Sequence, residues 1–134
     1  MDRVRVGING FGRIGRCVFR ILAGSSDSLE IAGINDLADT GDLAYMLKYD
    51  SVYGRYGSEV KSDSDSLTVD ETSIPFFSEP DPRQIPWKDL GADIIIESTG
   101  AFRERAKAAG HLEAGAKKVI LSAPSKDVDS TFVL

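Results

Sequence analysis

Apolar and polar positions alternate with a period of two over residues 3–9, as in a strand. At Gly12 the pattern changes to the 3.6-residue period of a helix that runs to Leu22. Ile14, Val18, Ile21 and Leu22 share one face of that helix and are expected to meet the core, with Arg13, Arg16 and Arg20 on another stripe. Gly24 to Ser28 reads as a loop and residues 30–35 as a second strand. Thr40 is placed to cap a helix containing Leu43, Ala44, Met46 and Leu47, and residues 51–57 read as an irregular connection. Residues 59–61, 66–69 and 72–77 then look like short antiparallel strands joined by polar turns. Ile94, Ile95 and Ile96, between Asp93 and Glu97, form the continuous apolar run of a strand buried on both faces of a parallel sheet. Arg103 to Ala114 reads as a helix stopped by Gly115, Lys118 to Ser122 as a strand, and Thr131 to Leu134 as the start of another. The chain shows no internal repeat and no linker. The order βαβ, antiparallel insert, βαβ predicts one α/β domain over residues 1–134. Its fold is a doubly wound, Rossmann-type, mostly parallel sheet with a small antiparallel insert.

The junction between the first strand and helix carries the chemistry. It reads Gly10-x-Gly12-x-x-Gly15. In a dinucleotide site the first glycine permits the tight turn, the second lets backbone approach a pyrophosphate, and the third lets helix pack on strand. The helix start adds free N–H groups and the positive end of a dipole. Asp36 lies 21 residues after Gly15, at the end of the second predicted strand. That is the spacing of a carboxylate that binds the adenosine ribose hydroxyls, and a negative charge there favours NAD over NADP.

Composition narrows the remaining classes. The chain has 134 residues, 42% hydrophobic and 28% charged, which suits one soluble domain with its own core. A net charge of −5 argues against nucleic acid as a partner. No apolar run approaches membrane-spanning length, and the N-terminus enters a strand without a signal-peptide core. The single cysteine excludes an intrachain disulfide framework and fits a reducing, cytoplasmic setting. One cysteine and one histidine do not make the usual zinc cluster, so no metal site is expected.

The segment Asn9-Gly10-Phe11-Gly12-Arg13-Ile14-Gly15-Arg16 resembles the opening signature of the phosphorylating glyceraldehyde-3-phosphate dehydrogenase family. Four further blocks resemble that family in order and spacing: residues 47–52, 97–102, 115–120 and 122–127. Together they cover essentially the whole chain; the related erythrose-4-phosphate dehydrogenases share several of them. The resemblance implies NAD as cofactor and a cytoplasmic, homotetrameric parent enzyme of glycolysis or gluconeogenesis. In it a thiolate attacks an aldehyde, hydride passes to NAD, and phosphate releases the acyl group. By position, the resemblance implies that Arg13 and Ile14 meet the pyrophosphate through backbone N–H groups and that Asp36 binds ribose. Thr99 and Gly100 would lie beside the dinucleotide, Phe102 near the adenosine and Ser122 toward the nicotinamide.

Two residues depart from the family pattern, Tyr53 in place of a usual His and Pro80 in place of a frequent Arg. The second puts a local adenine contact in doubt. The family's nucleophilic Cys, its catalytic His and its phosphate ligands have no counterparts here, so no catalytic residue is assigned. Cys17 reads as a small buried hydrophobe of the first helix, and His111 as a surface or packing residue with no partner suggested by sequence. The expectation is therefore the NAD-binding portion of such an enzyme, cut short within a strand, whose small-molecule substrate is handled by a catalytic domain outside this chain. The competing reading is a freestanding, non-catalytic nucleotide-binding module.

Overall fold

A computed structural model describes residues 3–24, 28–50, 54–55, 59–100 and 108–122. The chain opens with β1 (Val4–Asn9), α1 (Arg13–Gly24), β2 (Leu29–Asn35) and α2 (Thr40–Lys48). A two-stranded ribbon comes next, β3 (Tyr49–Asp50) with β4 (Gly54–Arg55), the second strand falling where the sequence predicted only irregular chain. Three short strands succeed it: β5 (Val60–Ser62), β6 (Ser66–Val69) and β7 (Thr72–Phe77). After a 3-10 turn (Pro82–Gln84) the chain forms α3 (Trp87–Leu90), β8 (Ile94–Glu97), α4 (Gly110–Glu113) and β9 (Lys118–Leu121).

The seven-stranded sheet has the order β5-β6-β7-β2-β1-β8-β9. Strands β7, β2, β1, β8 and β9 run parallel, while β5, β6 and β7 form the antiparallel insert. The fold class predicted from the pattern is therefore the one observed. From β1 the chain winds outward through β2 to β7, then returns to place β8 on the other side of β1. The crevice beyond the ends of β1 and β8 is the switch point at which ligands gather in such sheets.

Two apolar clusters cover the two faces. Ile8, Ile34 and Phe76 join Phe11, Phe19, Leu43, Leu47 and Leu67 on one side. Trp87, Ile85, Ile95 and Ala32 form the other. A register shift makes this division possible: Val6 pairs with Ile31 but Gly7 with Gly33, so Ala32 is an extra residue in β2. The bulge sends Ala32 to one face and leaves Ile31 and Ile34 together on the other.

Four sequence expectations are corrected here. The stripe of α1 expected in the core is not the most buried one: Ile14 is 51% and Ile21 63% exposed and Val18 and Leu22 are half-buried, whereas Phe19 is 1% exposed. The cause is Gly15, where a Cβ would collide with the Gly10 carbonyl oxygen. That contact turns the Gly15–Phe19 face inward, and Phe19 meets Phe11 edge-on at 5.6 Å. Cys17, beside this face, is half-buried rather than buried. On α2 the cap is Asp39, not Thr40. Asp39 Oδ1 accepts from the Gly41 and Asp42 N–H groups at 2.8 and 3.2 Å, and Thr40 is the first helical residue. Of the three isoleucines of β8 only Ile95 is fully buried, with Ile94 and Ile96 half-buried.

The orientation of α1 is directly testable. Phe19→Ala should cost about 3–5 kcal/mol, the range for deleting a buried aromatic side chain. Ile21→Ser should stay within about 0.5 kcal/mol, as exposed positions do. Urea titration of both variants checks this, and an Ile21 variant as damaged as the Phe19 variant would refute the orientation.

Candidate functional site

The glycine turn is built from both sides of the crevice. Gly10 has a φ of +94°, which favours glycine, and its N–H donates to the Asn35 carbonyl at 2.8 Å. A Cβ on Gly10 would lie 2.7 Å from the Thr99 nitrogen, so the turn and the end of β8 touch. Ser98 closes the seam, its Oγ donating to the Gly10 carbonyl at 2.7 Å. Gly12, by contrast, is exposed, and the space its Cβ would enter holds no atom within 4 Å. The first turn of α1 carries no acidic residue. The geometry of a helix start leaves the N–H groups there without intrahelical acceptors. An open backbone cradle with an uncancelled positive dipole fits a pyrophosphate.

Asp36 stands beside this cradle. Its Oδ2 accepts from the Phe11 N–H at 2.7 Å and its Oδ1 from the Ala38 N–H at 2.9 Å. The carboxylate is thereby held against the glycine turn at the end of β2. Arg13 and Ile14 are exposed at the start of α1. Arg16 and Arg20 donate to the Phe11 and Leu47 carbonyls. Gly100, with a φ of +78°, has open space where a Cβ would stand. The Ser122 hydroxyl and N–H both donate to the Glu97 carbonyl, at 3.1 and 3.0 Å, which fixes the end of β9 to the end of β8. Phe102 and Tyr53 lie outside the described residues. Pro80 is exposed beyond β7, next to Glu79. An open cleft of about 810 Å³ flanks Asp36 between residues 37–41, 62–65 and 76–79. Its Asp39, Asp63 and Asp65 make it a poor place for phosphate.

Beneath the cradle lies a buried polar network that the sequence reading did not anticipate. Glu97 ends β8 with 3% exposure and accepts four hydrogen bonds. Oε1 receives the Asn9 amide at 2.6 Å and His111 Nε2 at 2.7 Å. Oε2 receives the Thr99 N–H at 3.0 Å and the Thr99 hydroxyl at 2.7 Å. On the far side, Trp87 Nε1 donates to His111 Nδ1 at 3.0 Å. An indole N–H has no acceptor capacity, so Nδ1 must be the bare nitrogen and the ring proton sits on Nε2, directed at Glu97. Asn9 Oδ1 in turn accepts from Asn35 Nδ2 at 2.8 Å, and Asn35 exchanges two bonds with the Glu79 backbone. The chain of bonds thus crosses the ends of β8, β1, β2 and β7. One signal was available: a carboxylate directly after three isoleucines must be buried with partners, and the chain has a single histidine to offer.

Burial pushes the Glu97 carboxyl upward, but the bonds from His111, Thr99 and Asn9 together outweigh it and hold it below its ordinary value of 4.5. As pH falls, the unfolded chain therefore takes up this proton first. The stabilisation is complete above about pH 4.5 and is lost as pH drops through the lowered folded value.

The turn, the switch-point crevice and the acid at the end of β2 define a dinucleotide-binding domain. Residues 4–105 match the family described as glyceraldehyde 3-phosphate dehydrogenase, NAD binding domain, and the chain belongs to that family. NAD is accordingly its cofactor. Among proteins similar to it, glyceraldehyde-3-phosphate dehydrogenase of Thermotoga maritima is 55% identical over 131 residues. Those of Streptomyces coelicolor and Geobacillus stearothermophilus are each 52% identical over 131 residues. The match covers 97% of this chain in the first comparison, 98% in the other two, and 39% of each relative. Among the described residues no helix is long and apolar enough to cross a membrane, and no cluster of His, Cys, Asp or Glu is arranged to hold a metal.

Glu97→Gln tests the network. Whichever way the amide turns, its NH2 faces donors, from Thr99 or from Asn9 and His111. The variant should lose about 1.5–3 kcal/mol at pH 7, as hydrogen bonds to a charged group do. Its stability should also fall less steeply than the parent's between pH 5 and 3. Urea titrations across that range check both, and an unchanged acid slope would refute the assignment.

Proposed function

We propose that residues 1–134 are the NAD-binding portion of a phosphorylating aldehyde dehydrogenase of the glyceraldehyde-3-phosphate type, acting in the cytoplasm. One observation carries the reading: an open glycine cradle at the β1–β8 switch point, with Asp36 pinned beside it by the Phe11 N–H. In this reading Gly10, Gly12, Arg13, Ile14 and Gly15 hold the pyrophosphate by backbone. Asp36 accepts from the ribose hydroxyls and repels a 2′-phosphate. Thr99 and Gly100 flank the dinucleotide at the end of β8, Phe102 packs near the adenosine, and Ser122 lies toward the nicotinamide at the end of β9. The bound nicotinamide supplies a hydride acceptor. The thiolate that attacks the aldehyde and the groups that bind its phosphate belong to a catalytic domain in the remaining length that the relatives possess. That domain brings the small-molecule substrate, and the whole enzyme is a homotetramer.

The described residues offer no substitute for that chemistry. Cys17 is half-buried in α1, and His111 has both ring nitrogens engaged in the interior. The chain alone should therefore form no NADH from aldehyde and phosphate. Turnover that disappears in Cys17→Ser would overturn this.

Calorimetric titration tests the cofactor site. NAD should bind more tightly than NADP, and Asp36→Ala should weaken NAD by roughly tenfold or more while narrowing the preference. Gly12→Val should abolish binding with the fold retained by circular dichroism. Its backbone is not in the left-handed region and the space its Cβ would enter is open, so the substitution displaces ligand rather than packing. Full NAD affinity in a folded Gly12→Val protein would refute the site.

A further inference from the structure

We propose that His111, acting through Glu97, is a positioning residue for the dinucleotide cradle: its Nε2 proton, fixed there by Trp87, holds Glu97 in the orientation that fixes Asn9 and Thr99. This rests on the cofactor reading above and adds a determinant of affinity remote from the ligand.

The geometry carries the argument. His111 has no solvent exposure, so its ring has only the protein to bond. With the Trp87 N–H on Nδ1, only one tautomer satisfies the set. That tautomer places a donor 2.7 Å from Glu97 Oε1, leaving Oε2 free to take both Thr99 donors. The same Oε1 takes the Asn9 amide, and Asn9 is the residue before the Gly10 turn. Thr99 is the residue whose backbone nitrogen abuts Gly10. One carboxylate therefore grips both walls of the crevice, and His111 sets how that carboxylate stands. Asn35 extends the grip to the strand end that carries Asp36, because it bonds Asn9 and directly precedes Asp36 in the chain. If His111 Nε2 lost its proton, two lone pairs would face each other across 2.7 Å, and Glu97 would have to turn away from Thr99 or Asn9.

Two substitutions separate the halves of the imidazole. His111→Gln retains an N–H within reach of Glu97 but gives up the nitrogen that receives Trp87. His111→Asn retains an acceptor near Trp87 but loses the donor to Glu97. Each deletes one buried hydrogen bond, so a purely structural histidine would lower thermal stability and NAD affinity together and similarly in both. We expect His111→Gln to bind NAD within about threefold of the unmodified chain and His111→Asn about tenfold or more weaker, at comparable melting temperatures. In amide exchange, the Gly10 and Thr99 N–H groups should open at least about tenfold faster in the Asn variant only.

A measurement on the unmodified chain guards against variants that do not fold: nitrogen-15 resonances should report His111 protonated on Nε2 and should shift on saturation with NAD. Equal losses of affinity in the two variants, or a His111 protonated on Nδ1 and indifferent to NAD, would overturn the proposal. If the unmodified chain bound no NAD, the cofactor reading would fail, and the exchange rates at Gly10 and Thr99 would still decide for or against the positioning role.

Discussion

A carboxylate removed from water is tolerated only if its lost hydration is replaced bond for bond. Glu97 meets that condition with four donors drawn from three separate parts of the chain: Asn9 at the end of β1, Thr99 after β8, and His111 in α4. No local segment can assemble that set. The carboxylate therefore acts as a condition on the whole fold, since β1, β8 and α4 must all be in register before the charge is compensated. At the surface, the Gly10 turn and the position of Thr99 inherit their precision from this buried point. A buried ion of this kind is a poor source of net stability compared with an apolar substitute. Its value is that only one arrangement of the strand ends satisfies it.

The outward-facing chemistry was legible because it is local. Gly10, Gly12 and Gly15 lie within six residues, each in a role that a short stretch of backbone imposes, and Asp36 comes at a spacing set by one helix and one strand. The alternation of patterns likewise yielded the sheet, because parallel strands covered by helices have few other ways to close. The network beneath was not legible. Asn9 and Glu97 are 88 residues apart, His111 and Trp87 24, and no short motif joins residues so far apart. Periodicity also misjudged α1. Counting apolar residues selected Ile14 and Ile21, whereas helix orientation is decided by the residue that lets the backbones approach most closely. That residue is Gly15, which contributes nothing to an apolar count. The reading of Thr40 as the α2 cap failed for a similar reason, with Asp39 beside it. Both are good capping residues, and the extended backbone of Asp39 decided between them.

The β2 bulge shows how one irregularity serves two layers. In a regular strand, without the bulge at Ala32, Ile31 and Ile34 would fall on opposite faces, and one would project into the layer built around Trp87. With it, both join the cluster containing Leu43 and Leu47, and Asn35 ends the strand in position to meet Asn9 and Glu79. The polar chain under the site thus depends on an apolar adjustment several residues upstream.

Trp87 is the only tryptophan of the chain, has no solvent exposure, and its indole N–H donates to the imidazole of His111. The protein therefore carries an optical reporter whose emission colour is set entirely by its interior. The indole should fluoresce at the blue end of its range while the sheet is intact, with the imidazole as its immediate polar neighbour. Because that imidazole is the next link to Glu97, a signal usually read as global unfolding doubles here as a view of the strand ends.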